Sequence, residues 1–139
     1  MDGIPIIGYG TFITRNIWKN KLNVEVCTVL NYSRILQKRN WFPYALKSKR
    51  SFKALKFDVD HKELEYLDYI EGVAQNLFKR EKAEILLKNN VKSYAFIYVP
   101  TDLTIKSQKL SLEIDYNDTW KEEIKKNEEV VRKFPELLD

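Results

Sequence analysis

The sequence predicts an α+β fold, mainly β with two helices, or a small barrel with helical additions. Three observations carry this. Apolar runs rich in β-branched and aromatic residues recur between turn residues through the first hundred positions. Asp60 opens one amphipathic stretch that Gly72 closes. A second stretch with helical spacing forms the tail. The chain has 139 residues, suited to one domain over 1–139, with a core at about 4–100 and a helical extension at about 117–134. Hydrophobic residues at 44% and charged residues at 32% predict a packed core rather than disorder.

Ile4 to Tyr9 is β-branched and apolar, is bounded by Gly10, and reads as a buried strand. Val24 to Leu36 carries Val24, Val26, Val29, Leu30 and Ile35 and reads as one long or broken strand. Trp41 to Leu46 contains Pro43 and is expected in a loop or edge element. Ser51 to Val59 alternates through Phe52, Leu55, Phe57 and Val59 as a strand. Asp60 with Glu63 three residues on is a capping-box variant that starts a helix, and Gly72 stops it. Leu77 to Leu87 and Val91 to Val99 are strands, joined where Asn89 and Asn90 tolerate positive φ. In the tail, Asp118 or Thr119 can cap a helix whose stripe is Trp120, Ile124, Val131 and Phe134. Glu122–Lys126, Glu128–Arg132 and Glu129–Lys133 would flank it as i,i+4 pairs, and Pro135 ends it. This helix is expected to pack on its own domain; a partner's groove is the second reading.

Composition excludes several classes. The single cysteine, Cys27, permits no internal disulfide, and the single histidine, His61, permits no paired-histidine metal motif; no metal and no cofactor is expected. Gly3 to Thr14 is the longest uncharged run, but its 12 residues are too few to cross a membrane and no basic segment precedes them. A cytoplasmic protein with no membrane partner is expected. Gly8-Tyr9-Gly10 lacks the third glycine of a dinucleotide fingerprint, since position 13 is Ile13. The net charge is +4, yet Val26 to Phe57 holds eight basic and no acidic residues, while elsewhere 16 basic residues face 20 acidic ones. Such a segment can attract phosphates or carboxylates, but a solvated rim of lysines is the preferred reading.

Two features point to chemistry. Tyr9-Gly10-Thr11 ends a strand, where free N–H groups can hold an anion; an ordinary tight turn fits the same residues. Glu71 falls about 20° from Leu64 and about 40° from Leu67 on a helical wheel, on the stripe that should face the core. Partial desolvation there would raise its pKa toward neutrality, as a general acid or base requires. If instead the last turn emerges into solvent, Glu71 simply points out. Cys27 reads as a small core residue and His61 as a surface residue. Lys92 to Val99 approximates an RNA-recognition strand with Tyr94, Phe96 and Tyr98 on one face, but Ser93 replaces its glycine and Val99 its last aromatic, so an aromatic core strand is preferred.

Together these pieces resemble the γ-glutamylcyclotransferase-like family, which includes the AIG2-like proteins. Tyr9-Gly10-Thr11-Phe12 is similar to the family's Tyr-Gly-Ser/Thr-Asn/Leu turn, and Leu67-Asp68-Tyr69-Ile70-Glu71-Gly72-Val73 to its Leu-Asp-x-x-Glu-Gly-Val. Phe78-Lys79-Arg80 stands in the place of a Tyr-x-Arg, and Phe42-Pro43-Tyr44-Ala45-Leu46 echoes a Tyr-Pro-Ala-Leu segment. The resemblance implies a small mixed β-barrel with flanking helices and a cavity at its mouth. It implies Glu71 as general acid/base, with Tyr9, Gly10, Thr11, Phe12 and Phe78 against a small γ-glutamyl substrate. The implied reaction is cyclisation of a γ-glutamyl amine or peptide to 5-oxoproline, with release of the amine. Phe12 stands where Leu or Asn is usual, Phe78 lacks the usual hydroxyl, Ala54 replaces a frequent glycine, and Arg15 stands in for a basic residue after the first motif. A non-catalytic binding module of the same fold is the alternative, followed by a nucleic-acid-binding β protein using the basic 26–57 segment.

Overall fold

The computed structural model describes residues 3–139. Alternating apolar residues build five strands: β1 (Ile4–Gly8), β2 (Leu22–Ile35), β3 (Tyr44–Val59), β4 (Phe78–Leu86) and β5 (Lys92–Pro100). They close into a barrel in the order β1-β3-β2-β4-β5. Every pairing is antiparallel except the seam where β5 meets β1 in parallel, at Ile6 and Phe96. β2 and β3 form a long hairpin from Leu22↔Asp58 to Ile35↔Tyr44. Its register shifts between Leu22 and Glu25 and between Leu30 and Tyr32, where Asn23 and Asn31 take positive φ. Asparagine tolerates that conformation, so the hairpin bends at these positions without breaking.

The period-2 pattern sorts side chains onto two faces. One set, including Ile7, Tyr9, Val29, Phe52, Ile85 and Ile97, packs together inside the barrel. Ala45, Ala54, Ala83 and Ala95 keep that interior narrow. The opposite face of β1, β3 and β5, with Ile6, Leu55, Phe57 and Tyr98, packs against the helices through Leu64, Leu67, Trp120 and Val130. Cys27 is buried in the interior, which pushes its thiol up to about 12, and His61 is on the surface.

The helix expected after Asp60 is α2 (His61–Ile70), following the short α1 (Thr11–Thr14). Asp60 accepts from the Glu63 amide at 2.8 Å, and the Glu63 side chain accepts from the Asp60 amide at 3.1 Å, completing the capping box. At the other end Gly72 has φ of 68°. Its amide donates to the Tyr69 carbonyl and that of Val73 to the Asp68 carbonyl, the two bonds of a Schellman stop. A helix absent from the sequence reading, α3 (Asp102–Gln108), follows β5, with Thr101 accepting from the Thr104 amide as its cap.

Three expectations are corrected. Tyr44 to Leu46 belong to the start of β3, paired with β2 alone, so the edge reading holds and the loop reading does not, because Pro43 lies just outside the ladder. The tail is two short helices, α4 (Trp120–Lys125) and α5 (Glu128–Lys133), not one. Asn127 breaks it by accepting from the Val130 amide as a new cap, and its own amide donates to Asn16 Oδ1 at 2.8 Å. The break changes the helical phase, so Val130 is buried rather than Val131. The exposed pairs become Glu122–Lys125 and Glu123–Lys126; only Glu129–Lys133 keeps its expected spacing. Finally, the basic segment is not wholly a solvated rim. Arg34 is fully buried and forks Asp118 at 2.8 and 2.7 Å, which takes Asp118 out of the capping role. Thr119 takes the N-cap position, with no side-chain bond to the helix, and its amide and hydroxyl donate to Asp115. No helix is long and apolar enough to cross a membrane among the described residues.

Candidate active site

The end of β1, the C-terminus of α2, the start of β4 and the loop before β3 surround a cavity of about 390 Å³. Tyr9, Gly10, Thr11, Phe12, Glu71 and Phe78 all line it. Each is brought there by a local rule. β1 runs into a turn at Gly10, whose pro-chiral hydrogen faces Pro43: a Cβ would stand 2.8 Å from that ring. α1 then begins, and the Thr11 and Phe12 amides in its first turn have no intrahelical acceptor. The Schellman stop fixes Glu71 as the C-cap of α2, directly after Ile70, on the side marked by Leu64 and Leu67.

Glu71 is partly buried, and desolvation raises its carboxyl from 4.5 to about 7. It therefore exchanges a proton readily near neutral pH. Burial raises the Tyr9 hydroxyl well above its ordinary value, and the negative charge of Glu71 adds to this. Tyr9 is held at both ends. Its hydroxyl donates to the Tyr98 carbonyl at 2.6 Å, and its own carbonyl accepts from Arg34 at 2.8 Å.

Beside Glu71 lies a polar cluster. Arg80 forks Asp68 at 2.7 and 3.2 Å, and the Tyr98 hydroxyl donates to the same carboxylate at 2.6 Å. Burial and the bond to Asp68 also raise the Tyr98 hydroxyl. The cluster ties α2 to β4 and β5 one turn before Glu71. Phe78 stacks on Tyr44, with centroids 5.7 Å apart and planes 13° apart, and contributes an aromatic wall without a hydroxyl. Arg15 lies over Trp41 at 4.7 Å from the ring centroid, and both line the cavity.

Sequence reasoning missed Tyr98, Trp41, Tyr66 and Tyr69 as cavity residues. Tyr98 was visible in the alternation of β5, but alternation gives a face and not what covers it. The three-aromatic platform is not formed: Tyr98 is buried, Phe96 is half-buried beneath Arg80, and only Tyr94 is exposed. Tyr66 and Tyr69 carried a signal, since two large aromatics on the outward side of a helix are unusual for a solvated face.

The family described as gamma-glutamyl cyclotransferase, AIG2-like, matches residues 6–122. Among solved structures, the chain is similar to an Arabidopsis thaliana protein known from solution, at 20% identity and a TM-score of 0.64, covering 95% of this chain and 89% of that one. It is similar to a gamma-glutamyl cyclotransferase at 14% identity and a TM-score of 0.62, covering 95% and 99%. It is also similar to a yeast gamma-glutamyl cyclotransferase specific to glutathione, at 12% identity and a TM-score of 0.58, covering 97% and 89%. No curated protein sequence matches the chain.

Proposed function

The chain belongs to the γ-glutamyl cyclotransferase, AIG2-like family, and from that premise we propose that it cyclises a γ-glutamyl amine or peptide to 5-oxoproline, with Glu71 as general acid/base. The observation that supports this most is that Glu71 and the Tyr9–Phe12 turn line one cavity. In the proposed reaction the substrate's own α-amine attacks its γ-carbonyl carbon. Glu71, as carboxylate, takes a proton from that amine as the new C–N bond forms. The Thr11 and Phe12 amides stabilise the tetrahedral oxyanion. Glu71 then gives its proton to the departing nitrogen, the old C–N bond breaks, and the carboxylate is regenerated. The products are 5-oxoproline and a free amine.

The step is already intramolecular, so the site's part is to hold the flexible chain with its amine against the carbonyl in the attack geometry. A carboxyl with a pKa of about 7 suits both proton transfers. Tyr9, Gly10, Thr11 and Phe12 would hold the γ-glutamyl half, with the Phe78 ring packing against it. Incubation with γ-glutamyl dipeptides, γ-glutamyl-ε-lysine and γ-glutamylamines, followed by a 5-oxoproline assay, tests the reading. Wild type is expected to give product and folded Glu71→Gln to lose roughly 10²–10⁴-fold. Product from both proteins would sink the role of Glu71; product from neither would favour a binding module.

A further inference from the structure

α2 has an apolar face that it does not bury. Leu64 and Leu67 enter the core, yet Tyr66, Tyr69 and Ile70 remain exposed, Tyr69 to 77%. All three line the mouth of the cavity that holds Glu71, and exposed Trp41 and Leu77 join them from neighbouring segments. Five of the ten large hydrophobic residues exposed among the described residues thus ring one opening. Scattered singly, such residues mean little; gathered at a cavity mouth they mark a binding surface. Tyr and Trp offer flat, rigid faces suited to another ring.

The collar also has a charge pattern. Among the described residues lining the cavity, Arg15 is the one cation and Glu71 the one carboxylate. Arg15 is exposed and held against the face of Trp41. A ligand that touches the collar therefore meets apolar rings and one guanidinium.

We propose that the amine half of the substrate is an aromatic amino acid, its ring packed on Trp41 and Tyr69 and its carboxylate paired with Arg15. The inference rests on the cyclotransferase reading, in which the γ-glutamyl half occupies the inner cavity and the leaving amine faces the mouth.

The test measures 5-oxoproline release from γ-glutamylphenylalanine, γ-glutamylglycine and γ-glutamylphenethylamine. Wild type is expected to favour the phenylalanine compound over the glycine compound by roughly tenfold or more in kcat/KM, the scale on which an apolar pocket discriminates. A Trp41→Ser, Tyr69→Ser double variant should bring that ratio close to one. Arg15→Gln should abolish the preference for γ-glutamylphenylalanine over γ-glutamylphenethylamine. Equal turnover of the phenylalanine and glycine compounds by wild type, or a ratio that survives in the double variant, would overturn the inference while leaving the cyclotransferase reading intact. No product from any of the three would overturn that reading, and this inference with it.

Discussion

In the proposed reaction, Glu71 would tie activity to stability through one proton. Its carboxyl is raised from 4.5 to about 7 by burial, so the folded protein binds a proton that the unfolded chain has released between those values. The charged form is the costly one when folded. Stability is therefore expected to fall as pH rises from about 4.5 to 7 because of this residue. Glu71→Gln removes the cost: it should match wild type near pH 4 and exceed it at pH 8 by on the order of 3 kcal/mol. Urea midpoints at the two pH values check this, and an equal gap at both would exclude titration of Glu71 as its cause. On the proposed mechanism the same proton would set the pH–rate profile. If the free enzyme acts with Glu71 ionised, kcat/KM should rise through about pH 7, and that limb should be missing from residual Glu71→Gln activity. Glu71 stood out in the sequence as a carboxylate on an apolar helical stripe, but the stripe alone left a solvent-facing last turn open, and the Leu67–Val73 motif is what weighed for the site. Arg34 was not legible, since its eight-residue basic company looked like a rim and its acid partner lies 84 positions away.

At the scale of elements, the two ends of α2 divide stability from function. Asp60→Ala removes the capping box and should cost about 1 kcal/mol, with 5-oxoproline production kept in the folded fraction. Gly72→Ala should cost about 1–2 kcal/mol, because φ of 68° disfavours any Cβ and this one would stand 2.8 Å from Leu77 Cδ1. It should also reduce turnover, since the Schellman stop that it strains is what aims Glu71. Denaturant midpoints and the product assay on both variants separate the two effects. Elements with local signals were the readable ones: the capping box, the Gly72 stop, the Asn89–Asn90 turn and the alternating strands. The tail was read as one helix because its apolar spacing runs through Asn127, and whether an asparagine caps or continues a helix depends on what its amide meets, here Asn16. α3 was missed because only Thr101 and Asp102 announce it.

Across the whole molecule, the buried Arg34 joins three distant segments. It holds the Tyr9 carbonyl at 2.8 Å, the Lys53 carbonyl at 3.3 Å and both oxygens of Asp118. Asp118→Ala would leave a guanidinium buried without its counter-charge, at a cost of roughly 3–5 kcal/mol. It should also loosen the turn at Gly10, so that surviving protein makes 5-oxoproline more slowly; guanidinium melts and the product assay read the two consequences. Full stability after this substitution would mean that the pair is not a structural clamp. Neither this clamp nor the closure of the barrel had a local signature, and both depend on residues that only the tertiary fold brings together.

The parallel seam has a consequence for how the molecule comes into being. β1 carries the Tyr9–Phe12 turn, but one of its two neighbours is β5, met through Ile6 and Phe96. A nascent chain can form the β2–β3 hairpin and lay β1 on β3 early. It cannot shut the barrel until β5 has left the ribosome, some ninety residues after β1. Until then one edge of β1 stays open to other chains. A stalled chain ending before Lys92 is expected to be protease-sensitive and prone to association, and the cavity is completed only once Tyr98 on β5 has joined it.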